Sequence, residues 1–296
     1  MHVTVLIPVY NRERFIADAL DSVIAQDYSD WDILIVDDGS TDRSVEVVKS
    51  RMSDDRITLI QMKHGGCAAA TAMGIEHARG PVITSLDSDD KLMPGALSSV
   101  MPEFEKYPRL GYVWTNWVDS TGDKSTDGFL PDGKTLFEVI VSGYRRWGGY
   151  IAERFFRKEF YLQSGGLDTS IKYAVDMQLA LLIGKTGCDT LHIPKVTYWR
   201  RIHPHRISSE HYAEQMEAWR LLRRKFRSGS AALTELYIDG IEKERHALRS
   251  ELAGIKNSFG YKFMRLYGSI IDQALPNGTR RGELKRRVLD LLRGSS

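Results

Sequence analysis

Four short β-rich runs, Val3–Val9, Ile33–Val36, Ile57–Gln61 and Val82–Leu86, the first two almost wholly apolar, alternate with segments of helical periodicity. Runs too short for helices and lacking in/out alternation read as strands buried on both faces, the pattern of a parallel sheet covered by helices. After the first run, Phe15, Ile16, Ala19, Leu20, Val23 and Ile24 share one helical face. After the second, Val45, Val47, Val48 and Met52 suggest another helix, and an Ala-rich helix near Cys67–Ala78 precedes the fourth run. Pro94 stands where it can open a helix reaching about Lys106, and Gly111–Thr115 reads as a further strand. Repeated βαβ units of this kind build an α/β domain with a mainly parallel central sheet flanked by helices.

Beyond that point the regularity weakens. Residues 119–133, rich in Asp, Gly, Ser and Thr, read as a loop at an active-site mouth or as a surface excursion. From about 211 the pattern turns helical and basic. Residues 1–210 carry 24 basic against 29 acidic residues, whereas 211–296 carry 17 against 10, so the net charge of +2 conceals two regimes. They divide the chain into a domain over 1–210 and a basic helical C-terminal extension over 211–296. Cys67 and Cys188 are the only cysteines, which excludes a disulfide framework and fits a reducing compartment. Val3–Val9 lacks the basic flank and length of a signal peptide, and no apolar stretch approaches the roughly 18–20 residues that span a bilayer. A cytoplasmic protein, at most lying against a membrane, is expected, with no nucleic-acid partner.

Ligands of open parallel sheets bind beyond the carboxyl ends of the strands. Three such ends are polar: Pro8-Val9-Tyr10-Asn11, Asp37-Asp38-Gly39-Ser40 and Asp87-Ser88-Asp89-Asp90. Three carboxylates within the last of these concentrate negative charge that a cation would neutralise, and hard oxygen ligands suit Mg²⁺ or Mn²⁺. A helix-capping turn is the plainer reading of that cluster, as it is of Asp42. Two successive carboxylates at Asp37-Asp38 exceed what one cap requires, and a carboxylate there can accept from a nucleobase imide or a ribose hydroxyl.

Taken together, IPVYNRERFIADALDSVIAQ, WDILIVDDGSTD, GGCAAATAMGIEHARG and VITSLDSDD resemble the nucleotide-binding half of family 2 glycosyltransferases, and SGGLDTSIKYAVDMQLAL resembles their acceptor-side segment. The likeness runs over roughly residues 2–210. It implies the GT-A fold, an inverting transfer from a nucleotide diphosphate sugar, with UDP favoured, and a Mn²⁺ or Mg²⁺ cofactor. It also implies that Pro8, Tyr10 and Asp38 hold the nucleoside, that Asp87 faces the donor ribose or sugar and Asp89 the metal, and that Asp176 is the general base. The acceptor would be a saccharide or a lipid-linked saccharide of cell-surface polysaccharide or glycolipid synthesis.

Three positions depart from the family pattern. Val175 replaces the leading acid of the acidic pair, leaving Asp176 alone; Thr71-Ala72 stands where Arg-Asn is common; and Arg200-Arg201-Ile202-His203 stands for Tyr-Arg-x-His. Arg201 and His203 are expected on the pyrophosphate. Asp168 is a secondary base candidate or a residue shaping the Gly165-Gly166 turn, and Trp147-Gly148-Gly149 is either an acceptor-sugar platform or core. A sugar-nucleotide pyrophosphorylase would carry a Gly-rich, cationic phosphate loop after the first strand, which Pro8-Val9-Tyr10-Asn11 is not; a non-catalytic carbohydrate- or nucleotide-binding role is the other alternative. In the extension, Phe259, Phe263, Leu266, Tyr267, Ile270 and Ile271 share a helical face, with Lys262, Arg265, Arg280, Arg281, Lys285, Arg286 and Arg287 nearby. That composition suits either an anionic membrane surface or a second subunit.

Overall fold

The computed structural model describes residues 1–122, 135–142, 154–204, 206 and 210–228, with 250 and 253 besides. Trp147-Gly148-Gly149, most of the 119–133 loop and the amphipathic segment from Phe259 to Arg287 lie outside the described residues. The chain forms two compact units, Met1–Gly240 and Ile241–Ser296. In the first, α1 (Ile16–Ile24), α2 (Ser44–Lys49) and α3 (Cys67–His77) alternate with β1 (Val3–Val9), β2 (Trp31–Asp37), β3 (Ile57–Gln61) and β4 (Val82–Ser85). These four strands are mutually parallel in the order β3-β2-β1-β4. The order reverses direction at the β1/β4 junction, a switch point where α/β sheets open a crevice.

The sheet continues through β7 (Arg154–Arg157), β6 (Leu110–Asp119), β8 (Asp189–Arg200) and β5 (Lys91–Leu92). β7 runs antiparallel to both its neighbours, so the sheet is mixed beyond β4, and β6 and β8 are again parallel. Five more helices lie among the described residues: α4 (Ala96–Lys106), α5 (Leu136–Ser142), α6 (Lys158–Gln163), α7 (Val175–Lys185) and α8 (Tyr212–Arg227). α8, which the charge pattern assigns to the extension, packs on α5 and α7 within the first unit, burying Ala218 and Leu222.

Pleating sorts the core into two layers. Val3, Val5, Ile7 and Val9 turn to the face covered by α1 and α4, whereas Leu6, Leu34 and Val36 turn to the face covered by α3. Each such side chain, wholly buried, contributes about 1.5–3 kcal/mol. α3 lies close on β1 because residue 74 is glycine: a Cβ there would stand 2.1 Å from Cδ1 of Leu6. Thr71, in place of a longer polar side chain, is buried in the same layer.

Candidate active site

Backbone pairing extends past the strands and brings the polar loops together. The Asp38 amide donates to the Val9 carbonyl at 2.9 Å, Met62 to Asp37 at 2.9 Å, and Leu86 to Leu6 at 2.9 Å. The loops after β1 and β2 are then zipped by side chains. Asn11 N–H donates to Ser40 Oγ (3.0 Å), Thr41 N–H to Asn11 Oδ1 (2.8 Å), Arg12 N–H to Ser44 Oγ (2.7 Å) and Glu13 N–H to Asp42 Oδ2 (3.0 Å). Asp42 also accepts from the Ser44 amide at 2.9 Å, so it ties the start of α2 to the loop after β1. Asn11, at φ +51°, is one of two non-glycine residues in the left-handed region among those described.

These loops wall a cleft of about 700 Å³. Pro8, Tyr10, Arg12, Asp38 and His64 line it from the ends of β1, β2 and β3 and the loops after them, and Lys172, Tyr173 and His211 from the later part of the chain. Asp38 is 3% exposed, and its carboxylate accepts from the amides of Gly65 (2.7 Å) and Gly66 (2.9 Å). The imidazole of His64 approaches the same carboxylate, Nδ1 to Oδ2 2.9 Å, and stacks on Tyr10 with centroids 4.3 Å apart. Gly39 allows this approach: it sits at φ +76°, and a Cβ on it would meet the His64 amide nitrogen at 3.1 Å.

Next to the cleft, β4 ends in the acidic turn. Carboxylate oxygens of Asp87, Asp89 and Asp90 all lie within 4.8 Å of one another. Burial, together with the charges of Asp87 and Asp89, pushes the Asp90 carboxyl up to about 8, while desolvation, despite an exposed side chain, and the Asp89 charge push Asp87 upward as well. The turn therefore holds more negative charge than its own surroundings neutralise, and an oxygen-rich donor set of this kind fits Mn²⁺ or Mg²⁺.

The segment after β8 closes over that turn. His203 Nε2 lies 2.9 Å from Asp89 Oδ2, and Arg12 Nε lies 3.6 Å from the same oxygen. The second ring nitrogen of His203 is buried without a hydrogen-bond partner, and Phe15 packs against the ring at 4.7 Å. Arg201, expected on the pyrophosphate, is engaged elsewhere. Its backbone amide donates to Asp90 (2.7 Å), its Nε to the Asp89 carbonyl (3.0 Å) and its Nη2 to Asp18 (2.7 Å), with the guanidinium over Phe15 and Trp199. It clamps the acidic turn to α1.

Asp176 stands in the first turn of α7, accepting from the Met177 amide at 2.8 Å. Ala174 just before it holds φ +63°, a strain of about 1–3 kcal/mol for a non-glycine residue. Gln178 ties the preceding turn to the helix by accepting from the Asp168 amide. The charge of Asp176 is felt at Asp87. The buried Arg154 of β7 feels both, and Asp176, Tyr112 and Asp87 hold it above its ordinary value against the effect of burial. Asp168 is unlike Asp176: Lys225 at 2.8 Å and Ser170 hold its carboxyl down to about 2.

Arg12, His64, Arg154 and Arg206, whose charge reaches Asp87 and Asp90, were not singled out by motif position. For Arg12 the signal was there, directly after Tyr10-Asn11. For the others it was not, because only the fold brings them to the acidic turn.

The family model described as "Glycosyl transferase family 2" matches residues 4–152. The chain belongs to glycosyltransferase family 2. Among curated relatives of this family 2 chain, the chondroitin synthase of Pasteurella multocida (strain Pm70) is 29% identical over 213 residues, 68% of this chain and 20% of that protein. The chondroitin synthase of Escherichia coli is 29% identical over 207 residues, 68% of this chain and 29% of that protein. The chain thus spans between about a fifth and a third of these two enzymes. An uncharacterized glycosyltransferase of Bacillus subtilis (strain 168), EpsJ, is 26% identical over 227 residues, 73% of this chain and 65% of that protein. Among solved structures, S. aureus TarS 1-349 in complex with UDP-GlcNAc superposes with a TM-score of 0.62 at 17% identity, over 94% of this chain and 82% of that one. The mannosyltransferase PcManGT from Pyrobaculum calidifontis, in complex with GDP-Man and Mn²⁺, gives 0.56 at 17% identity, over 89% and 82%. At these identities the likeness is one of fold, and it agrees with the GT-A architecture the motifs imply. No helix among the described residues is long and apolar enough to cross a membrane.

Proposed function

We propose that this chain transfers a sugar, with inversion, from a nucleotide diphosphate sugar to an acceptor hydroxyl in the synthesis of a polysaccharide or glycolipid, with UDP as the nucleotide its pocket suits best. The observation that carries the reading is an aromatic and carboxylate pocket (Tyr10, Asp38) and an acidic turn (Asp87, Asp89, Asp90) at the ends of β1, β2 and β4, with the charge of Asp176, in the first turn of α7, felt at Asp87. Pro8 and Tyr10 take the nucleoside against Asp38, and Asp87 faces the ribose or sugar. Arg12 and Lys172 bind the diphosphate, a role supported by their place in the lining of the same cleft. Asp89, joined by His203, holds a Mn²⁺ or Mg²⁺ ion, which when bound supplies positive charge against the leaving diphosphate. Arg201 positions the turn that presents Asp89.

Asp176 takes the proton of the acceptor hydroxyl as its oxygen attacks the anomeric carbon and the bond to the diphosphate breaks. One displacement inverts the anomeric centre, and no covalent nucleophile is needed. The acceptor is a saccharide, carried on a lipid or a growing chain, and the basic C-terminal region keeps the enzyme beside an anionic membrane or a second subunit. A thermal-shift screen of UDP-, GDP- and dTDP-sugars with and without Mn²⁺ tests the reading, since a ligand stabilises the folded form that binds it. Stabilisation by a UDP-sugar that needs Mn²⁺ is expected, and no shift with any of the donors would overturn it.

A further inference from the structure

The His64 imidazole makes two contacts at once, and both are contacts that the proposed function gives to the nucleobase. It lies parallel to Tyr10, with centroids 4.3 Å apart and planes 25° from coplanar. Its Nδ1 stands 2.9 Å from Asp38 Oδ2 and 3.1 Å from the Asp38 carbonyl. Both partners are acceptors, so Nδ1 carries the hydrogen and donates. A flat ring stacked on Tyr10 and donating a ring N–H to Asp38 describes an imide-bearing base as well as it describes this side chain. Centroids so close leave no room for a second ring between them, since stacked rings need about 3.4–4 Å on each side.

We infer that His64 occupies the nucleobase's place in the donor-free chain, and that a donor binds only as His64 swings away from Tyr10 and Asp38. This rests on the nucleoside assignment above. The geometry permits the movement. Gly65 and Gly66 hold Asp38 through their backbone amides, so the carboxylate stays fixed when the imidazole leaves. The His64 side chain is 56% exposed, so its exit into solvent is open. The apparent affinity for the nucleotide is reduced by the fraction of molecules in which the place is open. His64 thereby sets how tightly the donor is held without touching it.

The test is calorimetric titration of UDP, and separately of pyrophosphate, in Mn²⁺ into the wild-type chain and His64→Ala. UDP should bind His64→Ala about three- to tenfold more tightly, while pyrophosphate, which has no base, should bind both alike. Unchanged or weaker UDP binding overturns the inference, as does an equal gain for pyrophosphate, which would mean a general opening of the cleft. Tyr10→Ala and Asp38→Asn keep the two claims apart. UDP affinity indifferent to both variants means the nucleoside assignment itself is wrong, whereas UDP affinity lost in both but not raised by His64→Ala means that His64 alone was misread. NMR of the imidazole protons, assigned by their absence in His64→Ala, gives a direct view. They should leave the Tyr10 ring current on saturation with UDP, and signals that do not move contradict the displacement.

Discussion

Nε2 of His203 lies 2.9 Å from Oδ2 of Asp89, though 114 positions separate them in the chain. The same oxygen is 3.6 Å from Arg12 Nε, so the carboxylate proposed for the cation is held by two nitrogen donors from opposite ends of the domain. Activity is therefore expected to vanish on chelation and return with Mn²⁺ or Mg²⁺. Asp89→Ala should abolish metal-dependent nucleotide binding while leaving the thermal midpoint near wild type. His203→Ala should raise the Mn²⁺ concentration for half-maximal activity at least about tenfold. Full activity of Asp89→Ala in excess chelator contradicts the metal assignment.

Asp176→Asn should reduce turnover at least about a hundredfold, the lower end of a general base's contribution, with nucleotide affinity little changed. Near-normal turnover would move the role to another group.

Asp168 is a poor replacement. Its carboxyl, held down at about 2 chiefly by Lys225 and Ser170, is engaged in fixing α8 to the turn before α7. A depressed carboxyl stabilises the fold above its ordinary titration range, and that stabilisation is lost as pH falls through about 2. Lys225→Met should lower stability near neutral pH by less than about 1 kcal/mol, because the pair is exposed, and the deficit should disappear in strong acid. Asp168→Asn should keep most of the turnover that Asp176→Asn loses, measured side by side under saturating donor.

Residues 211–296, with 17 basic against 10 acidic residues, should carry the chain to anionic vesicles at low salt. Co-sedimentation that fails with anionic vesicles, both for the full chain and for one ending near Arg227, would assign the basic segment to assembly between copies.

β1 and β2 were legible because strands buried on both faces read as almost unbroken apolar runs, and β3 and β4 because they repeat the same strand–helix cycle. β7 was not, since Arg154 and Arg157 interrupt its pattern. Both are buried, and Arg157 donates to the carbonyls of Leu110, Phe104 and Tyr107, partners that no local pattern reveals. β8 was hidden by Pro194 and Lys195, which fall in the bulge where register jumps from Thr115↔Ile193 to Asn116↔Val196. In the site, motif position marked Asp38, Asp89 and Asp176. The commitment of Arg201 to Asp18 and the acidic turn was invisible, because a basic residue near a diphosphate site and one clamping a loop look alike in sequence.

Inverting, metal-dependent transfer from a nucleotide sugar is tested most directly by proton NMR of the reaction itself, following a UDP-sugar and a panel of saccharide acceptors with Mn²⁺. The expected result is release of UDP coupled to a new glycosidic bond whose anomeric configuration is opposite to that of the donor, with no reaction in chelator. A product that retains the donor configuration, or transfer that proceeds undiminished without metal, contradicts the account.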